Sequence, residues 1–128
     1  MPKLFIKKSN HFFGIDSVMK IEHKDPSYFH RLENAVRYLA TSTESPPLKV
    51  ERAITSHLIS IIPEQPVDST DEKLWRVLKL ATERPEVIRG EGRIAATLRH
   101  VRFSTLCKMM NLIFDAYLEI RPKYERKK

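Results

Sequence analysis

Prolines stand at the ends of the apolar repeats in this chain, and that conjunction restricts it to a series of short helices. A proline lacks the N–H that a helix interior needs and fits only the first turn, so each one marks a start or a stop. Asp25 followed by Pro26 offers an N-cap and a first helical residue, after which Tyr28, Phe29, Leu32, Val36 and Leu39 recur on one face. Ser45, Pro46 and Pro47 open a second helix with Val50, Ala53, Ile54, Leu58, Ile61 and Ile62 on its apolar side, and Pro63 closes it. Ser69 with Glu72 has the capping-box form, and Leu74, Val77, Leu78 and Ala81 trace a third stripe until Arg84 and Pro85. Pro85 to Arg89 reads as a single helical turn. Beyond Gly90, Glu91 and Gly92, the residues Ile94, Leu98 and Val101 mark a short helix. The longest helix starts at Ser104 or Thr105, carries Leu106, Met109, Met110, Ile113, Phe114 and Tyr117, and ends at Arg121 and Pro122.

The pattern predicts an all-α domain spanning residues 1–128, a compact bundle of five or six helices. Its 128 residues suffice for a core without metal or disulfide support. Residues 1–24 are read separately: Leu4, Phe5 and Ile6 between lysines as a short edge strand or an extended arm, and Asp16 to His23 as a further short helix. His11 to Phe13 is an apolar patch expected to pack beneath the bundle. Residues 122–128 form a basic tail expected to fray. Tyr28, Phe29, Trp75, Phe103, Phe114 and Tyr117 are assigned to the core stripes. Cys107, the sole cysteine, is expected to be a buried thiol; with no apolar leader at the N-terminus and no membrane-length stretch, it points to a cytoplasmic or nuclear protein with no membrane partner.

Charge is unevenly placed. The chain carries a formal +7, and residues 84–108 hold Arg84, Arg89, Arg93, Arg99, Arg102 and Lys108 against Glu86 and Glu91 alone. Clustered cations of this kind are the electrostatic footprint of a polyanion partner.

Motifs for chemistry are scarce. Three glycines, Gly14, Gly90 and Gly92, cannot build a Walker loop or a dinucleotide fingerprint, and there is no Gly-x-Ser-x-Gly elbow. The five histidines never pair at helical ligand spacing, so no metal and no cofactor are expected. An Arg followed by a His after four to six residues resembles the signature of small helical HEPN ribonucleases, in which His would act as base toward a ribose hydroxyl and Arg would steady the phosphate. Arg52 with His57 and Arg93 with His100 have that form, but about one such match arises by chance in a chain of this composition.

Residues 93–110 resemble a helix-turn-helix: Ile94-Ala95 near the start of the first helix, the Val101 contact, and Ser104-Thr105-Leu106 opening the second, with Leu74 to Ala81 as supporting helix. Arg99 and His100 occupy the turn where the motif favours glycine, with one residue more than the common spacing. The second helix leaves Ser104, Thr105, Lys108 and Asn111 on its open side, and Met109, Met110 and Leu112 on it could extend into a homotypic contact. Gly90 and Gly92 with Arg93 offer an anion-binding nest or an ordinary helix stop and start. The fragment Leu98 to Phe103 is similar to a run in the BACK helical domain of BTB-kelch adaptors, over too few residues to imply a role.

The expectation is therefore a non-enzymatic module, or a small subunit of a larger nucleoprotein complex, that binds DNA or RNA. Arg89, Arg93, Arg99, Arg102 and Lys108 would build the basic face, with the arginines on phosphates and Lys108 and Asn111 reaching base edges if the long helix enters a groove. An adaptor or inhibitor that sets the same basic face against an acidic protein is the alternative.

Overall fold

The computed structural model describes residues 25–86 and 88–126, all of whose regular elements are helical. Five α-helices follow in order: α1 (Pro26–Thr41), α2 (Pro46–Ala53), α3 (Ser69–Ala81), α4 (Gly92–Arg99) and α5 (Phe103–Arg126). A π-helical segment, Ile54–Leu58, prolongs α2, with the Ile59 amide donating to the Ile54 carbonyl at 2.8 Å. The segments read as an N-terminal arm, as a short helix over Asp16 to His23, and as the His11 to Phe13 patch lie outside the described residues.

The caps explain the starts. Asp25 accepts a 2.9 Å bond from the Ser27 amide, so α1 begins at Pro26 as the sequence predicts. The cap of α3 is displaced by one residue from the expected Ser69. Asp68 accepts from the Asp71 amide at 2.8 Å, and Ser69 becomes the first helical residue. A carboxylate in that place also meets the positive end of the helix, which a hydroxyl does not.

α5 is the spine. It packs most extensively on α3, then on α1, and also touches α2. Leu106, Met109, Ile113, Ala116 and Ile120 are buried along it, one turn apart, against Leu32, Ala35, Val50, Leu58, Leu74 and Val77 in one contiguous apolar core. Met109 is fully buried in this core and so cannot take part in the homotypic contact that the sequence suggests. Two polar links join α3 to its neighbours near its N-terminus. The Tyr28 hydroxyl of α1 donates to Asp71 of α3 at 2.8 Å, and Thr70 and Lys73 of α3 donate to Glu119 of α5 at 2.9 and 3.2 Å.

Four expectations are corrected. α5 begins at Phe103 and runs through Pro122 to Arg126, where the sequence placed a stop and a frayed tail. Pro122 forfeits one backbone bond, but Tyr124 stacks on Phe29 with centroids 4.2 Å apart, and that contact holds the last turn. Phe103 is 67% exposed and Phe114 46% exposed, so neither is a core residue. Cys107 is half-buried rather than enclosed. Among the described residues of 85–89 the backbone bends and turns without forming the expected helical turn.

Candidate nucleic-acid interface

The basic segment comprises the loop after α3, all of α4, the short connection at residues 100–102 and the first turns of α5. All six of its cations, Arg84, Arg89, Arg93, Arg99, Arg102 and Lys108, are exposed, whereas its two acids are engaged internally. Glu86 accepts the amides of Gly90 at 3.2 Å and Gly92 at 2.8 Å. Gly90 and Gly92 have φ of 86° and 84°, the left-handed region that favours glycine, and this geometry turns their N–H groups onto one carboxylate. The nest suggested by the sequence exists, and Glu86 fills it.

Glu91 is paired with Arg99. The Arg99 guanidinium reaches back along α4 to both oxygens of Glu91, Nη1 at 2.5 Å and Nη2 at 3.2 Å, while the Ile88 amide donates to Glu91 at 2.9 Å. This is a bidentate charge-assisted pair. Arg93 has a structural task as well: its Nε and Nη2 both donate to the Thr82 carbonyl, at 3.1 and 2.8 Å. Thr82 is the C-cap of α3, so the guanidinium satisfies an otherwise orphaned carbonyl at the negative end of that helix.

The predicted residues are thus not all equivalent. Arg89 and Arg93 lie near the start of α4, where the guanidinium of Arg99 also reaches, and Arg102 follows the far end of the helix, about 12 Å away at 1.5 Å per residue. Lys108 and Asn111 follow on α5, where Ser104, Lys108 and Asn111 are all exposed and share one outward strip at helical spacing. Asp115, the next position on that strip, is also exposed and ends its positive character. Arg89, Arg102, Lys108 and Asn111 make no side-chain hydrogen bond or ion pair among the described residues. Nothing draws the six into one pocket; they form a band across the surface.

The helix-turn-helix resemblance fits in part. Three residues, 100–102, join α4 to α5, and the Arg102 carbonyl accepts from the amides of Thr105 and Leu106, both at 3.0 Å. Yet α4 packs chiefly on α2 and α3, and its pairing with α5 is not among the principal helix contacts. Of the Arg–His pairs, Arg52 faces Glu44 at 3.5 Å and the His57 ring lies 6.1 Å from Tyr38, while Arg93 is committed to Thr82. Among the described residues no group of three His, Cys, Asp or Glu side chains could hold a metal ion, and no helix is long and apolar enough to cross a membrane.

Trp75, which the sequence puts among the aromatics of the core stripes, is instead half-buried and lines an open groove with Arg93. The signal was present in the sequence: Lys79 follows Trp75 by one turn, and its ammonium lies 4.8 Å from the indole centroid. In comparisons with known proteins, no family model, no curated protein and no solved structure matches the chain.

Proposed function

We propose that this protein is a non-catalytic nucleic-acid-binding module, which lays the exposed cations of residues 84–108 along a sugar-phosphate backbone. One observation carries the reading: both acids of the segment are consumed internally while all six cations remain at the surface. The segment therefore presents an excess of positive charge to a partner, and a polyanion that meets it releases condensed counterions. Arg89, Arg102 and Lys108, which have no partner among the described residues, take the phosphates. Asn111, one turn beyond Lys108, reaches for a sugar or a base edge.

The test is anisotropy titration of labelled DNA and RNA, single-stranded and duplex, across a range of salt. Binding should weaken steeply with salt, and combined R89Q, R102Q and K108Q should reduce the log–log salt slope by about two to three. These side chains hold no part of the fold together, so the variant should melt like the parent. Unaltered affinity in the folded variant would overturn the reading.

A second reading, an acidic protein partner, is favoured by Phe103 at 67% and Ile88 at 57% exposure within the same segment. Large exposed apolar side chains beside Arg89 and Arg102 in the sequence suit the centre of a protein interface. The part of such an interface carried by Phe103 and Ile88 would keep its affinity as salt rises, where phosphate contacts lose theirs.

A further inference from the structure

We propose that the groove beside Trp75 receives one unstacked base of a single-stranded nucleic acid, with Arg93 and Lys79 holding the adjoining phosphate. The inference rests on the nucleic-acid reading and adds the kind of strand that is bound. On α3, Trp75, Leu78, Lys79 and Thr82 lie at i, i+3, i+4 and i+7, a face next to the core stripe of Leu74, Val77 and Ala81. That face and the turn at Ile62 and Pro63 enclose an open groove of about 560 Å³, within the roughly 300–1,000 Å³ of small-molecule sites.

The chemistry of the lining selects the occupant. Trp75, Leu78, Ile62 and Pro63 provide apolar walls with one indole, the surface on which a planar ring stacks. Arg93 stands at the same groove with its Nε and Nη2 fixed on the Thr82 carbonyl, which sets the position of the guanidinium before any ligand arrives. Lys79 covers the indole in the free protein; a base that takes the ring face releases the ammonium to the phosphate. Glu64 is the single acid on the lining, against two cations. An apolar peptide side chain would fill the walls and leave both cations without a counter-charge. A duplex holds its bases in the stack and cannot supply one, whereas a single strand can. Arg93 lines the groove and also belongs to the basic band that carries Arg89 and Arg102.

Trp75 is the only tryptophan of the chain, so its fluorescence reports on this groove alone. The whole protein is titrated with an oligothymidylate, with an abasic strand of equal length and with a duplex, while anisotropy of labelled strands reports binding separately. The expected result is quenching by the oligothymidylate and none by the abasic strand or the duplex. Trp75→Ala should weaken single-strand binding about ten-fold, the loss of one stacked base, and leave duplex binding unchanged. Trp75→Phe, which keeps a ring in the wall and guards against unfolding, should lose less. Binding by anisotropy without quenching, or equal losses on single strand and duplex in the folded variants, would overturn the groove while sparing the basic band. Absence of binding to every polymer at low salt would overturn both. Quenching by an acidic peptide in place of the oligonucleotide would overturn this proposal in favour of a protein partner.

Discussion

The ring of Tyr124 lies flat on the ring of Phe29, with centroids 4.2 Å apart and planes 7° from parallel. This contact ties the last turn of α5, beyond Pro122, to the first turn of α1. Tyr117 extends the stack from the preceding turns, its centroid 5.7 Å from that of Phe29. Removing Tyr124 should release the final turn, because nothing in the backbone compensates for the N–H that Pro122 lacks. In Y124A the backbone amides after Pro122 should exchange with solvent faster than in the parent. A double-mutant cycle with F29L should return a coupling of about 0.5–1.5 kcal/mol.

Tyr28 and Asp71 form a buried bond between α1 and α3. Burial, then the charge of Asp71 and its acceptance of the phenol's hydrogen bond, hold the Tyr28 hydroxyl well above its ordinary value of 10.0. The unfolded chain gives up this proton in the ordinary tyrosine range while the native state retains it. Stability from this term is therefore intact below that range and declines as pH rises above it. Y28F should cost about 1–3 kcal/mol at neutral pH, because Asp71 loses a donor. It should also flatten the alkaline decline, so urea midpoints of parent and variant converge toward pH about 11.

At the other link, burial alone would raise the Glu119 carboxyl, but hydrogen bonds from Thr70, Ser69 and Lys73, with the Lys73 charge, outweigh it and bring the group below the ordinary glutamate value. The sign is opposite to that of Tyr28. The contribution is present above the ordinary glutamate range and disappears as pH falls through the lower native value. E119Q should therefore be less stable than the parent near neutrality and approach it in acid. Thermal melting between pH about 7 and about 3 measures both limbs.

Glu91 cancels Arg99 in the free protein. Glu91→Gln keeps an oxygen for the Ile88 amide and removes the charge, which frees the Arg99 guanidinium for phosphate. Nucleic-acid affinity should rise, and the log–log salt slope should steepen by about 0.7–0.9, the equivalent of one further phosphate contact. An unchanged slope would mean that Arg99 lies off the path of the strand.

Gly90 and Gly92 shape the loop that buffers Glu86. Alanine meets no neighbouring atom at either position, so its cost comes from the left-handed backbone alone, about 1–2 kcal/mol per residue. G92A should also loosen the start of α4, seen as faster exchange of the Gly90 and residue-92 amides that Glu86 now accepts.

Much of this architecture follows from the residues in order. The starts of α1 and α2 follow from Asp25-Pro26 and Ser45-Pro46, because a cap and a proline act within a few bonds of themselves, and the buried stripes follow from a period that any helix imposes. The surplus of charge over residues 84–108 is likewise a property of the chain. Its deployment is not. That Arg93 caps α3, that Arg99 is spent on Glu91, that Glu86 fills the glycine nest, and that Trp75 faces a groove instead of the core all depend on where separate elements meet. So does the passage of α5 through Pro122: the local cost of a proline is fixed by its ring, but the ring of Phe29, 95 positions before Tyr124, outweighs it. Local sequence determines what each segment does by itself, and only packing determines which polar groups find partners and which are left for solvent or a ligand.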